Sequence, residues 1–548
     1  MLAGGKEASG TRMEGVPGPE ADGQRALGAV DGYRLGVGAI AAGLAAFLLL
    51  RLHALPPHED EALVFFLSQE SVGDMLGTVL GERRGAPLHY LLAYLVGLVD
   101  PGLTSLRLVS VAFAVAGVPA IAALVARLTD RRTALVASLL VAASWTTLYH
   151  SIYARMYSLF LFTAVLSLLL PLGALERGTR GRWAAWAAAT LALLATQPYG
   201  ILVLAAEVLY VAVLRLRRPM ALRSPLIALA VVLALAAPLW WTYALLASRF
   251  DVGVGESSSE LGSPFDVVEY LWEVFGDFVS GWPAAAVPAA LLGGLGLVVL
   301  ARTRPEAAIL TAAVAGVPTV ALVAAGSGPG VSLETRHLIF LLPFATMAIA
   351  TGLLRVGATL GRVGPAVVAT VLGLILAAQV GWGLDKTRWL YTGEPESRSE
   401  ARDGAAEWLS RTGRPDDVLF GYEPTYLDAW EHGAPVGTRF VPRADPELAL
   451  EALEAAGEPL GRGVWVLDAS DFVEQEYARM TIPSTTPGPE FETAVFGPFL
   501  LVRTVEPTGT PERFLEATLE VQELSARLEI GDAGRNALTA QEALEQLD

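Results

Sequence analysis

The 548-residue chain has no cysteine and only six histidines. It therefore has no disulfide framework, no thiolate nucleophile and little material for a histidine-rich metal centre. Charged residues make up 17% of the chain, against about 25% in a soluble domain. No Walker loop, HExxH, GxSxG or EF-hand pattern occurs, so nucleotide hydrolysis and zinc proteolysis have no support. What is abundant is apolar surface: 53% of residues are hydrophobic and the mean hydropathy is +0.48. Several runs reach the roughly 17–25 residues that cross a hydrocarbon core. This is a polytopic membrane protein.

Charge is unevenly placed. Residues 385–548 hold 32 acidic and 14 basic side chains, a net −18, and the other 384 residues hold 24 and 25, a net +1. A nearly neutral membrane part and an acidic soluble part follow. The acidity excludes nucleic acid as a partner, because nothing would neutralise phosphates along a strand. The small, polar, Gly-rich start, 1–34, reads as a disordered cytoplasmic tail rather than a cleaved signal.

Candidate spans lie near 35–52, 107–127, 133–149, 157–175, 183–197, 199–214, 225–246, 283–301, 306–325, 337–354 and 365–384. "APLHYLLAYLVGLV" (86–99) has a length more typical of an interfacial or re-entrant helix than of a span. The basic loops "TDRRT", "ERGTRGR" and "RLRRPMALR" fall on one side with the N-terminus only if 86–99 stays on the outer leaflet. About 11 spans result, with the N-terminus cytoplasmic and everything after 384 outside. The expected fold is mainly α: a transmembrane helix bundle over 35–384, with a first outer loop at 53–106. A small extracytoplasmic α/β domain spans 385–507, where "DDVLFGY", "RGVWVLDAS" and "FGPFLLVRTV" read as strands. An acidic helical or disordered tail, 508–548, closes the chain.

On this topology the stretch "RLHALPPHEDEALVFFLSQE" lies on the outer face. Its acids Glu59, Asp60 and Glu61 can cap a helix, or one of them, partly desolvated beside the bilayer, can serve as a general base. In "YHSIYARMYS" the isolated Arg155 either snorkels to headgroups or holds an anion. Arg336, in "SLETRHLIFLLPF" beside His337, is an interfacial anchor or a phosphate ligand. His89 and His150 read more simply as satisfied interfacial groups. Glu207, inside a span, is a candidate by default or a protonated group bonded between helices. "GERRG" (81–85) reads as a solvated turn. Acids and arginines beside an apolar groove on the outer face suit a lipid-linked sugar phosphate: arginines hold the phosphate, and a carboxylate activates the acceptor hydroxyl, with inversion.

The loop "HEDEALVFFLSQ", followed by "APLHYLLAYLVGL", "SLRLVSVAFAVAGVPAIAALVARL" and "RRTALVASLLVAASWTTLYHSIYARMYSLFLF", resembles the GT-C superfamily of integral-membrane glycosyltransferases. The nearest branch is family 39, that of protein O-mannosyltransferases and aminoarabinose transferase. The resemblance implies a polyprenyl-phosphate sugar donor, an extracytoplasmic acceptor in the cell envelope, a hexosyltransferase reaction and a plasma-membrane location. It implies Asp60 and Glu61 as the acidic pair of the first loop, with Asp60 as base. Arg155 and Tyr157 match the family's turn, and Arg336 matches its late phosphate ligand. His58, His89 and His337 support them, leaving Glu59 as the helix cap. Tyr153 stands where many relatives carry an acid, so no metal is expected and no cofactor is required. The alternatives are a transporter or lipid-carrier flippase coupled through Glu207, and a scaffold whose acidic domain binds wall polymers.

Overall fold

The computed structural model describes residues 20–81, 86–249, 263–325, 334–433, 439–443, 445–469, 482–530 and 533–547. Of the tail expected to be disordered, 1–19 lie outside the described residues, and 20–34 instead extend the first helix, α1 (Glu20–Leu50). The reading of 81–85 as a turn also falls mostly outside them.

Three short helices follow α1: α2 (Glu59–Ser68), α3 (Val72–Gly81) and α4 (Pro87–Gly97). Next come α5 (Leu103–Leu128), α6 (Arg131–Ala143), α7 (Trp145–Ser151) and α8 (Tyr157–Arg177). Beyond them lie α9 (Arg180–Leu194), α10 (Gly200–Arg217), α11 (Arg223–Leu235) and α12 (Ala237–Arg249). The bundle closes with α13 (Pro264–Phe278), α14 (Pro283–Thr303), α15 (Pro305–Ala325), a 3₁₀ turn at Thr335–Leu341, α16 (Leu342–Thr359) and α17 (Gly364–Lys386).

Seven described helices are long and apolar enough to cross a membrane, or nine if α6 with α7 and α11 with α12, bent by 55° and 56°, each count as one span. The expected eleven also counted 183–197 and 199–214. These fold as α9 and α10, but one is only 15 residues long and the other carries Glu207, Arg215 and Arg217. α4 is an 11-residue apolar helix, too short to cross. Backbone-close packing binds α14 to α16. A Cβ added at Gly296 would stand 1.9 Å from the Ala348 carbonyl oxygen, and one at Gly352 2.0 Å from that of Leu292. Small residues let the two helices touch in this way.

The turns of the bundle sort to two ends. One end is basic and is tied across turns by Arg127–Glu176 and Arg218–Glu306. The opposite end carries the first loop, the 152–156 turn, the 3₁₀ turn and the C-terminal domain. That domain contains α18 (Arg388–Thr392), α19 (Glu396–Thr412), α20 (Pro424–Glu431) and α21 (Pro446–Ala456). Its sheet comprises β1 (Val418–Phe420), β2 (Phe440–Val441), β3 (Gly463–Asp468), β4 (Phe491–Phe496) and β5 (Phe499–Thr504), in the order β2-β1-β3-β5-β4. β2, β1 and β3 run parallel, and β5 and β4 pair antiparallel. β1 and β5 are buried throughout their lengths, as strands covered on both faces must be.

The acidic stretch after 508, read as a solvated or fraying tail, folds as α22 (Pro511–Leu528) and α23 (Ala533–Leu547). Phe514, Val521, Leu524 and Ala540 bury one face of this pair in the core that also holds Trp465 and Leu500. The tail therefore belongs to the α/β domain. Its apolar residues recur at helical spacing, and that stripe outweighs the overall acidity.

Candidate active site

The acidic run opens α2. His58 is its N-cap: Nδ1 accepts the Asp60 N–H at 3.1 Å, while Glu61 accepts the His58 N–H at 3.0 Å. The cap is thus made by His58 and Glu61 and not by Glu59, which reaches Arg443 of the C-terminal domain at 3.2 Å. Burial pushes the His58 pKa down, so the ring is neutral near pH 7 and its Nδ1 can accept.

Glu61 is fully buried. Its two oxygens accept from Arg107 Nε at 2.9 Å and Nη2 at 2.7 Å, and Oε1 also accepts the Ala154 N–H at 2.6 Å. Arg107 spends its remaining donors on the carbonyls of Leu52, Leu55 and Pro56, at 2.8, 3.1 and 3.2 Å. One ion pair thereby ties α2, α5, the first loop and the 152–156 turn together.

That turn carries Arg155. Its backbone is also held by His89, whose Nε2 donates to the Ala154 carbonyl at 3.3 Å, and by Ser110, which donates to the Arg155 carbonyl at 3.2 Å. Burial lowers the His89 pKa to about 4, so it acts as a neutral donor. The Arg155 guanidinium pairs with Asp60, whose side chain keeps 30% of its exposure. Asp60 is therefore partly open to solvent while Glu61 is not.

Arg336 approaches from the 3₁₀ turn and pairs with Glu334. Its Nε is buried with no hydrogen-bond partner among the described residues. Arg155 and Arg336 stand over one ring, that of Tyr157, at 5.2 and 5.3 Å from its centroid. His337 caps its own turn by accepting the Glu334 N–H at 3.2 Å, and stacks on Tyr199 at 4.6 Å. The structure thus brings Asp60, Arg155, Arg336, Tyr157 and the three histidines to one end of the bundle. Glu207 is elsewhere: on α10 it accepts from Trp186 Nε1 at 2.8 Å and lines an apolar cavity of about 340 Å³ that reaches Arg215. Among the described residues, no group of three or more His, Asp or Glu is placed to share a metal ion.

One partner and one pair escaped the sequence reading. Arg107 is the partner, although a charge inside the apolar run "SLRLVSVAFAV" was its signal. The other is Asp277 of α13, buried against Lys386 Nζ at 2.5 and 2.6 Å, with Thr335 donating at 2.5 Å and Trp382 at 3.2 Å. Lys386 is one of only two lysines in the chain. Through Thr335 this cluster anchors the turn that presents Arg336.

The C-terminal domain sits on the first loop. Phe65 meets Trp430 at 4.8 Å and Phe66 meets Phe440 at 4.4 Å. Arg443 bridges Glu59 and Glu423, and the Glu394 N–H donates to the Ala54 carbonyl at 2.9 Å.

Residues 85–241 match the family model of dolichyl-phosphate-mannose-protein mannosyltransferases, a stretch that includes Arg155 and Tyr157. No curated protein matches the sequence. The crystal structure of ArnT from Cupriavidus metallidurans bound to undecaprenyl phosphate is similar at TM-score 0.52 and 14% identity, over 86% of this chain and 98% of that one. Its apo form gives 0.53 and 14%, over 87% and 98%. Arabinofuranosyltransferase AftD from Mycobacteria gives 0.49 and 17%, over 89% of this chain and 42% of that one. At these identities the likeness to ArnT concerns the fold: the bundle with its C-terminal domain is a GT-C fold.

Proposed function

We propose that this chain, built on the GT-C fold, is a membrane glycosyltransferase. It moves a hexosyl unit from a polyprenyl-phosphate carrier to an acceptor hydroxyl of the cell envelope, with inversion, on the extracytoplasmic face of the plasma membrane. The observation that carries this reading is the convergence of Asp60, Arg155 and Arg336 around Tyr157. The undecaprenyl phosphate named with the ArnT structure supports the choice of carrier. The choice of side is supported by the basic turns, which collect at the opposite end of the bundle, where the positive-inside rule favours the cytoplasm.

In this reading the donor phosphate takes Arg155 from Asp60 and also engages the unpartnered Nε–H of Arg336. Asp60, released, removes the proton of the acceptor hydroxyl. The acceptor oxygen attacks the anomeric carbon from the side opposite the phosphate, and the carbon–oxygen bond to phosphate breaks with its electron pair. The charge on the leaving polyprenyl phosphate is met by the two guanidiniums, fixed in advance so that little reorganisation is needed as it forms. Glu61 positions the site through Arg107 and Ala154 and takes no proton. Each acid of the site has a cationic partner, so no step is assigned to a metal and no cofactor is proposed.

The flippase alternative depends on Glu207. That residue is bonded to Trp186 and faces apolar side chains, which offers little polar path for a carrier headgroup. The deciding experiment supplies purified chain with a polyprenyl-phosphate hexose and an envelope acceptor extract, and follows free polyprenyl phosphate by mass spectrometry. Acceptor-dependent release supports transfer. Movement of intact donor across vesicles without release, abolished by Glu207→Gln, would replace this reading with the flippase.

A further inference from the structure

A groove of about 580 Å³ runs between α9 and α11 at the basic end of the bundle, opposite the site described above. Small side chains cut it: Ala184 and Ala187 on α9 and Ala228 on α11 leave the space that larger residues would fill. The two helices pack together and both begin at this end, so Arg180 and Arg223 stand at the mouth of one groove. Both arginines are exposed, and neither forms an ion pair or side-chain hydrogen bond with a described residue. Neither helix has a side-chain cap, so first-turn N–H groups add positive potential at the same place. Beyond the arginines the wall turns apolar, with Ile227 56% exposed.

We propose that this groove binds one anionic phospholipid, its phosphate between Arg180 and Arg223 and part of an acyl chain along the alanine floor. The volume falls within the roughly 300–1,000 Å³ typical of small-ligand sites. From Arg180 to Ala187 the floor rises about 10 Å at 1.5 Å per residue, enough for the upper part of one chain. Inorganic phosphate would leave that floor uncovered. A zwitterionic headgroup would bring its own cation to two arginines, so lipids with net negative charge are selected. Basic pockets between helices on the cytoplasmic side are suited to anionic headgroups on the same electrostatic grounds.

The test uses the full purified chain in neutral detergent, titrated with phosphatidylglycerol or phosphatidylcholine and read by native mass spectrometry. One phosphatidylglycerol per chain should be retained at least tenfold more tightly than phosphatidylcholine. Arg180→Gln with Arg223→Gln should lower that retention at least tenfold and erase the preference. Sugar transfer in phosphatidylcholine vesicles should stay at the wild-type rate. Ala184→Leu with Ala228→Leu keeps the arginines but fills the floor, and should lose the bound lipid as well. If the arginine variant fails to fold, this second variant decides. Equal phosphatidylglycerol retention by wild type and a folded variant overturns the proposal. So does displacement of the bound lipid by polyprenyl phosphate at one equivalent, which would make the groove a carrier site.

Discussion

Glu61 and Arg107, 46 residues apart in sequence, form a two-bonded ion pair from which water is excluded. Every donor nitrogen of Arg107 and both oxygens of Glu61 have partners, and those partners belong to the segments that converge on the site. Such a pair adds little net stability compared with apolar residues of the same shape, yet breaking one half of it is costly, because the other charge is left buried alone.

Arg107→Ala should therefore destabilise the protein by about 3–5 kcal/mol, seen as a lower melting temperature in detergent. Glu61→Leu with Arg107→Met should be less damaging than either single change. If the double variant is worse than both, the pair is more than a fastening.

Asp60→Asn keeps the size of the side chain and removes its basicity. Turnover should fall by about 10²–10⁴, the usual worth of a positioned acid–base group, with the melting temperature unchanged. A purified assay showing more than a tenth of wild-type turnover would remove Asp60 from the role of base.

Arg336→Ala and Arg155→Ala should each raise the KM for the polyprenyl-phosphate donor by about tenfold or more, on the scale of one charge-assisted contact, and leave the acceptor KM near its starting value. Arg155→Ala also removes the guanidinium paired with Asp60, so its pH profile should change where that of Arg336→Ala does not. Titrations of donor and acceptor separate these outcomes.

The stability of the C-terminal domain should depend on pH. Burial raises the Glu423 pKa from 4.5 to about 7, with Arg443 opposing and Glu59 and Asp468 adding to the shift. Asp428 is raised from 3.8 to about 6, again by burial first, with Arg402 opposing and Glu431, Asp403 and Glu394 adding. Both native values exceed the unfolded ones, so the folded state binds more protons between them. This contribution is complete below about pH 4 and is lost as pH rises through 6 to 7. Thermal melts from pH 4.5 to 7.5 should show wild type losing stability relative to Glu423→Gln. Parallel curves would refute the assignment.

Chelation of divalent ions by EDTA should leave transfer within twofold of its untreated rate, because the arginines supply the charge that a metal would otherwise carry. A loss restored by added magnesium or manganese would show a metal step.

The sequence alone determined what local patterns can carry. Apolar runs of sufficient length made a membrane bundle, alternating signals marked three of the five described strands, and an acidic run with two isolated arginines in apolar surroundings marked the segments of Asp60, Arg155 and Arg336, among whose acids only the family resemblance chose Asp60. Charge in such places is expensive, so it stands out against the run that contains it. The tertiary structure decided the rest, because those outcomes depend on partners far away in the chain. Glu61 became a buried fastening only when Arg107 arrived from α5. The acidic tail joined the domain core because its apolar stripe met a sheet. Asp277 and Lys386 acquired meaning only when α13 and α17 brought them together. Helical period is written in consecutive residues; the neutralisation of one buried charge by another is settled by packing, and no stretch of sequence contains it.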